Sequence, residues 1–148
     1  DAGAMRPARA LLALLAGSAA AESRLPSDDP ARVAAGAAVY DAHCAACHGA
    51  ELEGEPDWRS PGPDGRLPAP PHDATGHTWH HADAVLIDIV TRGTEAVVGG
   101  GDRSTMMGFG DVLSPRKIRD VLAYIRSTWP PRVQEIHDEV NAAARAAE

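Results

Sequence analysis

Aromatic residues are scarce in this 148-residue chain, which has one Phe, two Tyr and three Trp. Nominally apolar residues make up 44% of it, but alanine supplies much of that share. Alanine fills little volume, so the protein's own core is thin for the single domain that this length allows. Long hydrophobic runs are missing as well: Ala10 to Ala16 is apolar and rich in leucine but far too short to span a bilayer. Positive charge is in deficit, with 14 Lys and Arg against 21 Asp and Glu, a formal charge of −7. Such a surface disfavours nucleic acid and anionic lipid, and favours cationic patches on protein partners. Cysteine is the scarcest reactive type, and both copies fall within one five-residue stretch.

That stretch is Cys44-Ala45-Ala46-Cys47-His48. Two thiols three positions apart followed at once by an imidazole form the attachment signature of a covalently bound haem of the c type. On one turn of helix the two sulfurs lie close enough to reach the two vinyl groups of one porphyrin as thioethers. His48 is then placed to reach the iron as the proximal axial ligand. A redox dithiol or a plain disulfide is the competing reading. It leaves His48 without a role, and no strand, helix, strand pattern surrounds the motif. A haem, flat and largely apolar, also supplies the interior surface that the alanine-rich chain lacks.

The N-terminus reads as an export signal over residues 1–21. Arg6 and Arg9 form a basic segment, the leucine-rich run follows, and Ala19-Ala20-Ala21 offers a small-residue cleavage site. Asp1 to Ala4 precede a start at Met5 and carry no reading of their own. Cleavage after Ala21 leaves 12 basic and 20 acidic residues, a formal charge of −8. Attachment of c-type haem in bacteria resembles a process completed outside the cytoplasm, so a periplasmic location is expected. Membrane association is then expected only by way of a partner or an uncleaved signal. The expected division is signal 1–21, linker 22–28, haem domain 29–130 and C-terminal helical tail 131–148.

Helix signals fill the domain. Asp29 or Asp28 caps a helix opening at Pro30, whose fixed φ and missing N–H suit the first helical position. Val33, Gly36, Ala37 and Tyr40 mark one face and lead into Cys44. Ser114 caps and Pro115 opens a later helix with Ile118, Val121, Leu122 and Ile125 as its apolar stripe, stopped by Pro130-Pro131 after Trp129. Between them, a helix from Asp83 shows Leu86, Ile89 and Val90 on one face and ends at Gly93. Gly99-Gly100-Gly101 follows as a flexible approach to Met106. Pro131 opens a last helix through Ala147, with Val133, Ile136 and Val140 as a narrow stripe.

In these features the chain resembles class I cytochromes c, small helical electron carriers with a glycine eight residues and an aromatic four residues before the first haem cysteine. Gly36 and Tyr40 stand at both positions. The resemblance implies an all-α fold, three to four core helices wrapped around one covalent haem, with the first helix crossing the last near Gly36 and Tyr124. The family's ligand loop commonly reads Met-Pro-x-Phe, then a leucine and the capped final helix. Here Met106-Met107-Gly108-Phe109 leads to Leu113 and Ser114. Alignment on Phe109 and Leu113 implies Met106 as the second axial ligand, with Met107 where proline is usual. A family proline carbonyl accepts the other ring N–H of the proximal histidine, and Pro70, one of three prolines in Leu67-Pro68-Ala69-Pro70-Pro71, is the candidate.

Residues 55–77 hold six prolines and suit an ordered loop over a haem edge. The stretch Gly76-His77-Thr78-Trp79-His80-His81 resembles a feature found before the middle helix in one subgroup of bacterial cytochromes c. Trp79 or Trp58 is a candidate donor to a haem propionate, against plain packing as the alternative. His72, His77, His80 and His81 invite a copper or zinc reading, though their spacing matches no closed site, and a solvated or propionate-side cluster is the simpler expectation. His43 and His137 read as surface residues. The resulting expectation is a monohaem electron carrier, not itself an enzyme, with donor and acceptor proteins as partners and a monomeric or weakly associating state. A haem enzyme or gas sensor with a labile methionine, and a copper-handling protein built on the His72 to His81 cluster, are the alternatives.

Overall fold

A computed structural model describes residues 25–99 and 103–148. The expected export signal lies outside the described residues, as do residues 22–24 of the expected linker and Gly100 and Gly101 of the glycine run. The described chain is all-α: α1 (Pro30–His43), α2 (Ala45–His48), α3 (Asp83–Arg92), α4 (Thr94–Val98), α5 (Pro115–Ser127) and α6 (Pro131–Ala146), with a 3-10 turn at Thr78–His80. Among the described residues no helix is long and apolar enough to cross a membrane.

Local chemistry sets the helix ends. The Asp29 carboxylate accepts from the Ala31 and Arg32 backbone N–H groups, so Asp29 and not Asp28 caps α1. Ser114 Oγ accepts from Lys117 N at 3.3 Å and Pro115 takes the first position of α5. Gly93, at φ 91°, ends α3. The short α4 that follows, ending just before Gly99, is an element that the sequence reading did not foresee.

The crossing of α1 and α5 is the main helix packing. Ile118, Val121, Leu122 and Ile125 are all buried on α5, each removal from water stabilising by about 1.5–3 kcal/mol. At the crossing point Gly36 lies against the Asp120 carbonyl and the Cβ of Tyr124, leaving no room for a side chain. The Tyr40 and Tyr124 rings meet at 5.5 Å and 58° beside it, and Arg32 pairs with the buried Asp120 carboxylate across it.

The tail departs from its expected register. Val133, Ile136 and Val140 are only half-buried, whereas His137 and Asn141, one turn apart, are buried. His137, expected at the surface, is fully enclosed. The reason is a polar latch that the apolar periodicity does not reveal. Asp83 N donates to Asn141 Oδ1 at 2.8 Å, Asn141 Nδ2 donates to Asp83 Oδ1 at 3.1 Å, and His137 Nε2 lies 3.0 Å from the His81 carbonyl and 3.3 Å from Asp83 Oδ1. Arg126 of α5 adds a 3.0 Å ion pair to Asp138. Leu25, in the stretch expected as linker, is part of the core and donates its N–H to Asp83 Oδ2 at 3.2 Å.

His137 makes this latch acid-sensitive. A carbonyl only accepts, so Nε2 carries the hydrogen and a second proton has to enter at Nδ1, which is buried without a partner. Burial, helped by the Arg126 guanidinium, holds the ring below the usual histidine value against the opposing pull of Asp83, the His81 carbonyl and Asp138. The unfolded ring titrates near about 6.5, so below that pH the unfolded chain binds a proton that the fold does not. Stability is therefore unaffected by this group above about pH 6.5 and falls as pH drops below it. Thermal unfolding from about pH 7 to about pH 5 will show a smaller loss in His137→Gln than in the wild type. A difference between the two proteins that stays constant with pH would refute the assignment.

Candidate haem-attachment site

Cys44 closes α1, its N–H donating to the Tyr40 carbonyl at 2.8 Å, and α2 carries Cys47 and His48 through one tight turn. Both cysteines are free; Cys44 is half-buried and Cys47 exposed. Burial, reinforced by the neighbouring Cys47, pushes the Cys44 thiol up to about 11. Reactive redox dithiols work through a lowered thiol pKa, so this environment opposes the thioredoxin-like reading.

His48 is buried, and its Nδ1 lies 2.8 Å from the Pro70 carbonyl. Since the carbonyl can only accept, Nδ1 bears the hydrogen and Nε2 the lone pair. Burial lowers the His48 pKa, partly offset by the Pro70 bond and by Glu55, so the ring stays neutral. A neutral imidazole with a free Nε2 lone pair, on one turn with two free thiols, is the donor set that a covalent c-type haem requires. Cys44, Ala45, Trp79, Ile87, Val90, Phe109, Tyr124 and Val133 are partly buried apolar residues packed against the core.

The Pro70 carbonyl reaches His48 because the chain is stitched back on itself. Gly54 N donates to the His48 carbonyl, Glu55 N to the Ala69 carbonyl, and His72 N to the Leu52 carbonyl, at 2.7, 2.9 and 2.9 Å. Gly54, at φ 70°, is in the left-handed region, and a Cβ there would lie 2.5 Å from Pro71 N. Glycine alone satisfies both conditions. Tyr40 donates its hydroxyl to the Gly49 carbonyl at 2.9 Å, and burial first of all raises its pKa.

The methionine loop runs beside the end of α3. Phe109 N donates to the Val90 carbonyl at 2.8 Å, Gly110 N to the Thr91 carbonyl at 3.0 Å, and Leu113 N to the Phe109 carbonyl at 2.8 Å. Met107 pairs with Gly93 in an isolated bridge and is 69% exposed, whereas Met106 is half-buried. The adjacent methionines therefore face different surroundings.

The other sequence candidates have partners within the protein. Trp79 Nε1 donates to the Ala74 carbonyl at 3.2 Å, so the N–H expected to serve a propionate is satisfied within the protein. Trp58 packs under Arg59, 4.2 Å from ring centroid to guanidinium carbon, and beside His77. The four histidines do not converge. His80 stacks on Trp79 at 3.7 Å, His77 meets His81 edge-on at 5.7 Å, and the His72 ring packs on His48. Among the described residues no group of three or more His, Cys, Asp or Glu is placed to hold a metal ion.

His72 lies instead against His48, with ring centroids 3.9 Å apart and planes 30° from parallel. Its Nδ1 is 2.8 Å from Thr78 Oγ1, and its carbonyl accepts the Trp129 indole N–H at 2.8 Å. Burial, with His48 and His77 adding repulsion, lowers its pKa well below the usual histidine value. Sequence reasoning grouped His72 with its neighbours in number; its place two residues after Pro70 was the one signal that it belongs to the His48 side.

A family model described as Cytochrome c matches residues 33–129. No curated protein and no solved structure matches the chain. The matched span takes in most of α1, all of α2 to α5 and Trp129, and leaves α6 outside it.

Proposed function

Because the chain belongs to the cytochrome c family, with its covalently bound haem c, we propose that it carries single electrons between proteins of the bacterial periplasm through one haem whose iron is held by His48 and Met106. Haem-based electron transfer is the family's chemistry; the bound group supplies an iron that gains and releases one electron. Cys44 and Cys47 tether the porphyrin, and His48 offers Nε2 with its ring oriented by the Pro70 carbonyl. The observation that carries the reading is this hydrogen bond, because it leaves the ligand lone pair on the one nitrogen free to meet iron.

Met106 is favoured over Met107 by its partial burial and by its spacing to Phe109 and Leu113. A thioether as second ligand favours ferrous iron and raises the potential, and two filled axial positions leave no open site for a substrate. That closure supports a carrier over a haem enzyme or sensor. The acidic surface supports partners with cationic docking patches, in encounters weakened by salt. The signal pattern over residues 1–21 supports the periplasmic location.

The test is the sulfur-to-iron charge-transfer band of the ferric protein together with a redox titration. Met106→Ala is expected to abolish the band and lower the potential by a sizeable part of the roughly 0.8 V that axial ligands span. Met107→Ala is expected to leave both near wild type. A band that survives Met106→Ala overturns the ligand assignment, and a wild-type protein without the band favours the open-iron enzyme or sensor.

A further inference from the structure

We propose that His72 is a positioning residue that fixes the plane of the His48 imidazole and so tunes the iron which His48 holds; this rests on the reading of His48 as the proximal ligand. One hydrogen bond to the Pro70 carbonyl anchors His48 at Nδ1 but leaves its ring free to rock about that bond. A flat group laid against the ring face removes this freedom. His72 is such a group, 3.9 Å away and inclined by 30°.

His72 is itself held from several sides. Its backbone N–H is bound to the Leu52 carbonyl and its own carbonyl to the Trp129 indole. Its ring is tied through Nδ1 to the buried Thr78 hydroxyl, and Tyr40 stands edge-on to it at 6.4 Å. Trp129 is in turn braced edge-on by His137 of α6 at 5.1 Å. The brace thus runs from the tail helix, through Trp129, to the ring that faces the ligand. An outer group that orients a metal-bound histidine changes the electronic character of the metal without touching it. The direction of the imidazole plane decides which iron orbital its π system meets, and this is read in the spread of the haem methyl proton shifts of the ferric protein.

The experiment compares that shift pattern and the reduction potential in the haem-loaded wild type, His72→Phe and His72→Leu. His72→Phe retains a flat face and is expected to keep the wild-type order of methyl shifts. His72→Leu fills the volume without a flat face and is expected to rearrange the order and shift the potential. A folded His72→Leu protein with the wild-type pattern and potential overturns the proposal, as does an equal change in both variants. If neither variant accumulates, Thr78→Val releases the ring with little change of volume; it is expected to alter the pattern, and an unaltered pattern also overturns the proposal. Failure of the underlying ligand reading is distinguishable, because it appears in the wild type as a spectrum without imidazole ligation before any variant is made.

Discussion

Gly36→Ala will lower the stability of the haem-loaded protein by about 3 kcal/mol or more, although alanine is the better helix former. In an exposed helix the exchange gains about 1 kcal/mol. At Gly36, however, the added methyl meets the Asp120 carbonyl, and it lies 2.9 Å from the Cβ of Tyr124. The first of these atoms is backbone, so relief requires α5 to move away from α1. That separation loosens the Tyr40 and Tyr124 ring contact and the Arg32 and Asp120 ion pair together. It also disturbs Tyr40, whose hydroxyl holds the Gly49 carbonyl just after His48. Overpacking commonly costs about 1–3 kcal/mol, and the rigidity of the neighbour places this site at or above that range. Thermal unfolding and the yield of covalently loaded protein check it. A melting temperature at or above wild type would show that propensity outweighs the clash and would remove Gly36 from its assigned role.

Asp83→Ala will cost about 2–5 kcal/mol, because its partners are buried neutral donors that lose their shared acceptor. Its carboxylate is 4% exposed as a residue and accepts from Leu25 N and Asn141 Nδ2, with His137 Nε2 at 3.3 Å. Three chain segments meet there: the approach to α1, the start of α3 and the tail helix α6. Removing the acceptor leaves buried donors without partners, at about 1–3 kcal/mol for each that water cannot reach. Asn141→Ala removes one reciprocal pair and is expected to cost less. Chemical denaturation measures both, and limited proteolysis reports release of α6 separately from global unfolding. If Asp83→Ala remains within about 1 kcal/mol of wild type with α6 still protected, the latch does not hold the tail.

The two substitutions act on features of very different visibility. The Gly36 crossing was legible because its signals are local and periodic: a glycine and an aromatic at set distances before Cys44, and a capped apolar stripe from Ser114 to Ile125. The Asp83 latch was not. Asp83 and Asn141 are 58 residues apart in the chain, and polar side chains in a helix read as solvent-facing unless their partners are known. His137 was misjudged for that reason, and the apolar stripe of α6 pointed to Val133, Ile136 and Val140 instead.

By itself the sequence determined the helical class, the four longer helices in their order, a cap at Asp28 or Asp29, the ends at Ser114 and Gly93, and membership of the haem-binding family. All of these depend on residues close together in number, where spacing translates directly into geometry. It also paired His48 with Pro70 through a resemblance, and the two lie 2.8 Å apart. Only the tertiary structure decided that His72 faces His48 and not the later histidines, that the Trp79 N–H is committed to Ala74, and that a buried Asp83, His137 and Asn141 network holds the tail. The place of His72 depends on how an irregular, proline-rich segment folds back, through backbone bonds such as Gly54 to His48 and His72 to Leu52. Such bonds leave no periodic trace in the chain, because any residue with an N–H and a carbonyl can make them.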